Sequence, residues 1–216
     1  MPGFDDDDEY ESFDLDDAAA QAAQAARAAE VVPAVVDGDD DDEDDEDDEP
    51  EDATDDEIDY VLAAHREDGQ LHVDELASEL ANDLDELIVQ LRRRPGDAGA
   101  LGFVSLVEEV FVIVRVRGQH VQVMLSDSAA ASDWPIARDV VDLLNEDVPE
   151  DDDEDDEGEP VGDLAMLADL GLSEFDLLAI LDDLDLTSDQ MLQAIAERIA
   201  LNPEFARLAE AAFDDD

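Results

Sequence analysis

From Ile58 the chain alternates apolar and polar positions with the period of a β-strand. Tyr60, Leu62 and Ala64 fall on one side, and Glu67-Asp68-Gly69-Gln70 supplies an Asp-Gly hairpin turn. Leu71 and Val73 share a face on the returning strand. The period then lengthens: Leu76, Leu80, Leu84, Leu87, Ile88 and Leu91 recur every three or four residues. This predicts an amphipathic helix between Asp74 and Arg94, ended by Pro95-Gly96. Three strands follow, Leu101 to Val107, Val110 to Arg117 and Gln119 to Ser126, joined closely enough for an antiparallel meander. The middle one sets Val110, Val112, Val114 and Val116 against Phe111, Ile113, Arg115 and Arg117, the two-faced pattern of a central strand. A helix from about Pro135 to Asn145, with Ile136, Val140, Leu143 and Leu144 inside, completes the order β-β-α-β-β-β-α. The expectation is an α+β domain over 58–146 in which helices cover one face of an antiparallel sheet.

Beyond residue 160 the period is helical throughout. Leu164, Leu167 and Leu170 predict a short helix stopped by Gly171 in a left-handed cap position. Ser173-Glu174-Phe175-Asp176 opens a second helix with Phe175, Leu178, Leu181 and Leu184 inside, and Thr187-Ser188-Asp189-Gln190 opens a third with Met191, Leu192, Ile195 and Ile199 inside. Asn202-Pro203 breaks the chain before a last helix carrying Phe205, Leu208 and Phe213. Residues 161–216 thus form a small helical module, free-standing or folded back on the sheet.

Charge separates these segments from the rest. The formal net charge is −58, and residues 1–57 hold 27 acids against one Arg while 147–160 hold ten against none. Asp39 to Glu49 is an unbroken run of eleven acids. Such stretches bury too little apolar surface to offset their ordering entropy, so 1–57 is expected to be an acidic disordered tail and 147–160 an acidic linker. The Ala-rich part of the tail, Asp17 to Val35, favours helix but has almost no large side chains with which to dock. A halophilic surface would spread its acids over the folded parts; here they are blocky. All ten basic residues are Arg, which fits a coding bias and indicates no function.

Several classes of chemistry are excluded or weakened. The chain has no Cys, hence neither disulfides nor thiolate zinc sites, and its N-terminus is acidic where a secretory signal would be basic. No apolar run is long enough to span a membrane, and a cytoplasmic address is expected. His65-Arg66-Glu67 spells the H-x-E of zinc deaminases, but the paired cysteines that complete that site are missing. Asp153 to Gly158 resembles the start of a calcium loop, yet position twelve is Leu164 and no helix enters it. His65, His72 and His120 with Ser126, Ser128, Asp127 and Asp133 offer hydrolase combinations on paper without a nucleophile elbow. Pro95 to Gly102 lacks the Lys and the following helix of a phosphate loop. No catalytic residue, cofactor or metal ligand is assigned.

What remains are candidate contacts. Arg115 and Arg117 share a strand face and form a small anion-binding pair, suited to a partner or to the chain's own acidic tail. Arg92, Arg93 and Arg94 sit where they complement a helix dipole. Trp134, at the entry to the helix after Pro135, is either an exposed partner anchor or a staple between helix and sheet; the small core favours the staple. Direct nucleic-acid binding is not expected from a chain of this sign, because affinity for phosphates comes from Lys and Arg.

Phe103-Val104-Ser105, Phe111 to Val116, Leu125-Ser126-Asp127 with Asp133-Trp134-Pro135, and Gly162-Asp163-Leu164 through Ala168-Asp169-Leu170-Gly171 together resemble the actinobacterial tRNA adenosine deaminase-associated proteins. The resemblance covers roughly Tyr60 to Ala212 and leaves the acidic N-terminal flank as an extra. It implies an association with a tRNA adenosine deaminase and no reaction. The expected function is a non-catalytic acidic accessory protein whose partner is that enzyme or another basic protein. The alternatives are a hydrolytic enzyme with its site on the α+β domain, and a general acidic chaperone or cation buffer.

Overall fold

The computed structural model describes residues 50–94, 96, 98–146 and 158–214. The expected acidic tail up to residue 49, its Ala-rich stretch and the linker over 147–157 lie outside the described residues; the last part of that expected tail, 50–57, is described and docked, with Ala53 buried in a core and its N–H donating to Asn82 Oδ1 at 2.8 Å.

Six strands, β1 (Ile58–Glu67), β2 (Gln70–Glu75), β3 (Ala100–Leu106), β4 (Val110–Arg117), β5 (His120–Leu125) and β6 (Val161–Gly162), form one antiparallel sheet in the order β2-β1-β3-β4-β5-β6. The first hairpin turns where Asp-Gly predicts it, with Asp68 at φ 51° and Gly69 at φ 80°, the pair of left-handed residues that matches strand twist. Among the described residues, five α-helices accompany the sheet: α1 (Leu84–Arg92), α2 (Pro135–Leu144), α3 (Glu174–Leu181), α4 (Ser188–Arg198) and α5 (Glu204–Asp214). The α+β class and the antiparallel sheet are as the hydrophobic pattern predicts.

Two cores lie on opposite faces of the sheet. On the first, Val110, Val112, Val114 and Val116 of β4 meet Leu84, Leu87, Ile88 and Leu91 of α1 and Ile136, Val140 and Val141 of α2. Gly102 allows α1 this close approach, since a Cβ there would stand 2.9 Å from Leu91 Cδ1. On the second, Tyr60, Leu62, Phe103, Phe111 and Ile113 meet Leu177, Leu192, Ile195, Ile199 and Phe205. The helices after residue 160 are therefore folded back on the sheet and cover its other side. Strand alternation made both faces of β3 and β4 apolar, and each face has found a helical layer.

Several local expectations are corrected. The helix expected between Asp74 and Arg94 is shorter: β2 runs to Glu75, a 3-10 turn occupies Ser78–Asn82, and α1 begins only after Asp83. Asp83 is extended (φ −146°) and accepts from Glu86 N at 2.8 Å, a helix cap that ends the preceding turn. The first helix expected after residue 160 is replaced by β6 and a 3-10 turn, Ala168–Leu170, although Gly171 does hold the left-handed cap at φ 104°. Leu143 is half exposed, while Val141 is buried in its stead. Phe175 and Leu184, expected inside, are 80% and 79% exposed. In α3 almost every position is apolar, so periodicity alone could not choose its inner face; Leu177 is the residue it buries.

Gly162 is a further constraint on the second layer. Its φ is 107°, and a Cβ there would lie 2.2 Å from Val123 O and 2.9 Å from Met124 Cα, both backbone atoms that cannot give way. Replacing Gly162 with Ala is expected to break the pairing of β6 with β5 and to cost about 1–3 kcal/mol through left-handed strain and lost ladder bonds. Urea denaturation measures this; an unchanged midpoint contradicts it.

Candidate interaction surface

Alternation along β4 aims Arg115 at the second face, where its neighbours are apolar, and the side chain is 1% exposed. A buried guanidinium requires acceptors in its own plane. It has them. Nη1 donates to Asp169 Oδ1 at 2.5 Å and to the Met166 carbonyl, while Nη2 donates to Asp169 Oδ2 at 2.8 Å and to Ala98 O at 3.1 Å. The Asp169 carboxyl is held below its ordinary value of 3.8, chiefly by the hydrogen bonds from Arg115. The anion that Arg115 receives is thus Asp169 of the same chain, and the pair ties the segment after β6 to the sheet. Arg117 is more open: it donates to Gln122 Oε1 at 3.0 Å and lies 3.7 Å from Asp169 Oδ2.

Trp134 occupies the N-cap position of α2, partly buried against the first core, with its backbone N–H donating to Ala130 O at 2.9 Å. The sheet separates it from Arg115. These sequence candidates therefore do not converge on one site.

A buried polar clamp, which the sequence reading missed, joins the sheet to α4. Ser105 Oγ donates to Asp59 Oδ2 at 2.8 Å and so accepts from Ser188 Oγ at 2.9 Å. Tyr60 OH donates to Asp189 Oδ1 at 3.1 Å, and Gln193 Nε2 donates to Asp189 Oδ2 at 2.8 Å. Burial raises the Asp189 carboxyl and drives the Tyr60 phenol far above its ordinary value of 10.0. The two Ser residues and Asp189 are buried, so these groups fasten layers together and face no cleft. The available signal was Ser105 within an otherwise apolar strand.

The other residues considered for catalysis are placed apart. Ser126 Oγ accepts from Phe111 N at 2.9 Å, and Asp127 Oδ1 accepts from Ala129 N at 2.8 Å. His65 stacks on His72 across the β1–β2 pair with ring centroids 5.1 Å apart. Burial, then the neighbouring His72 and Arg94, hold the His65 imidazole below its ordinary value of 6.5. A shallow crevice beside it, open to solvent, has mostly apolar walls from Leu71, Leu101, Leu170 and Leu201. Arg66 at its rim is engaged, donating to Ala200 O at 2.8 Å. Among the described residues, no group of three or more His, Cys, Asp or Glu is arranged to hold a metal ion. Among them too, no helix is long and apolar enough to cross a membrane.

These arrangements define an α+β protein whose sheet is a partition between two filled cores. The chain belongs to the family of Rv3753c-like tRNA adenosine deaminase-associated proteins, which it matches over residues 59–202, from β1 through α4. It is 30% identical over 158 residues to Protein Rv3753c of Mycobacterium tuberculosis, covering 73% of this chain and 91% of that protein. No solved structure matches. The family match includes α1 to α4 and leaves α5 and the acidic N-terminal flank outside it.

Proposed function

We propose that this protein is a non-catalytic accessory partner of a tRNA adenosine deaminase, working in the cytoplasm, whose acidic stretches occupy the enzyme's basic RNA-binding surface as a polyanion. The observation that carries the reading is where the charge lies: 1–57 carries 27 acids against one Arg and 147–160 ten against none, while 58–146 has 17 acids against seven Arg. Blocks of one sign outside the patterned segments steer association with a basic surface while the folded part supplies specificity. The family description supplies the enzyme. Three features support the non-catalytic side: both sheet faces are covered, the polar cluster at Ser105 and Asp189 is buried, and the chain has no Cys for a deaminase zinc set.

Co-purification with the tRNA adenosine deaminase of the same organism, over a salt series and with tRNA as competitor, tests it. The expected complex weakens steeply as ionic strength rises, is displaced by tRNA, and loses most of its affinity when residues 1–49 are deleted, a cut that spares Ala53, which is buried in the first core. A complex indifferent to salt removes the polyanion mechanism, and no complex at any salt overturns the association. Equal binding to unrelated basic proteins favours a general acidic chaperone instead.

A further inference from the structure

We infer that the outward side of α3 and the turn after it form a docking surface for a protein partner that presents an apolar recess rimmed by Arg or Lys. Phe175 and Leu184 stand 80% and 79% exposed, the two most exposed large apolar side chains among the described residues. Neither is needed to hold α3 in place. Leu177 is fully buried in the second core, and Ile180 and Leu181 pack against it. The helix is also fixed at its start, where Ser173 Oγ accepts from Asp176 N at 3.2 Å. Phe175 is thus carried on an element that is already docked and capped, so little ordering entropy is lost when a partner covers it. By contrast, Phe213 is 41% exposed but meets Tyr60 edge to face at 6.3 Å.

The charges around this surface choose its occupant. Glu174, Asp176, Asp182, Asp183 and Asp185 surround Phe175 and Leu184 in sequence, and Arg198 lies 3.9 Å from Asp176 Oδ1. A second copy would bring the same acids against them, and the chain's own acidic N-terminal stretch has the same sign. An anionic membrane is repelled for that reason as well. A basic protein surface with an apolar centre satisfies both features: its cations meet the acids at the rim while Phe175 is desolvated in the middle, the arrangement of an interface hot spot. This inference takes the identity of the occupant, and not the surface itself, from the accessory-partner reading. It adds a contact whose strength survives salt, since burial of Phe175 is not screened.

The test uses the full chain, the double variant Phe175→Ser with Leu184→Ser, and the control Phe175→Leu. Each is titrated at low and high salt against the same organism's tRNA adenosine deaminase and against a synthetic amphipathic Leu/Lys helical peptide. Exposed positions make these variants folding-neutral, which amide spectra verify. The expected result is that the double variant loses about 30-fold in affinity for the deaminase, most visibly at high salt, while Phe175→Leu keeps most of it. If wild type and double variant bind the deaminase equally, the docking surface is overturned and the accessory reading stands. If the wild type does not bind the deaminase at all, that reading fails and the peptide decides. A Phe175-dependent and Leu184-dependent loss of peptide affinity then supports the surface, and equal peptide affinities overturn it.

Discussion

Asp169→Ala is expected to destabilise the protein by about 3–5 kcal/mol, because it leaves the buried Arg115 guanidinium without its carboxylate. For a protein of this size that corresponds to a fall in Tm of about 10 °C. Arg115→Met should cost less, about 1–3 kcal/mol: the Asp169 side chain is 54% exposed and returns to water, leaving two carbonyls short of a donor. The double variant should therefore be more stable than Asp169→Ala alone, a non-additivity that a double-mutant cycle reads directly. Acid should act through the same pair. Asp169 is depressed below 3.8, so its contribution is complete above that value and is lost as the pH falls through the lower folded value. Arg115→Met should lack this part of the acid response. Equal, additive losses from the two single variants would mean that the pair is not the tie between the sheet and the segment after β6.

Removing residues 161–216 is expected to abolish the native fold. The second face of the sheet would expose Tyr60, Leu62, Phe103, Phe111, Ile113 and Met124, all at most 3% exposed in the intact chain, along with Arg115 stripped of Asp169. A contiguous aromatic and aliphatic face of that kind does not stay in water, and the truncated chain should bind hydrophobic dyes and give a collapsed amide spectrum. A graded form of the same experiment is Phe205→Ala. Phe205 is fully buried, edge to face with Tyr60 at 6.1 Å and with Phe103 at 5.1 Å, and its loss should cost about 3–5 kcal/mol in a single transition. A truncated chain with a dispersed spectrum, and a Phe205→Ala variant unfolding in two steps, would show that the sheet and the C-terminal helices are independent units.

The sequence determined the elements and their local logic. Asp68-Gly69 defined the first hairpin, Ser173 and Thr187 marked helix starts that the structure caps with the same side chains, and alternation in Val110 to Arg117 assigned each β4 residue to its face. These features depend on backbone geometry and on neighbours a few residues away, which is why they can be read from a linear pattern. It also placed Arg115 and Arg117 on one side of the strand.

Tertiary structure decided what those faces meet. That both faces of β3 and β4 were apolar was legible; that residues 161–216 cover the second face was not, because nothing local distinguishes folding back from standing free. Arg115 was readable as a cation on a strand, but its carboxylate lies 54 residues away, and only packing makes Asp169 its partner. In α3 the near-uniform apolarity hid the choice between Leu177 and Phe175, and the sheet settled it by burying Leu177. Long-range pairing of this kind is set by which surfaces fill space together, a property of the assembled layers that no window of sequence contains.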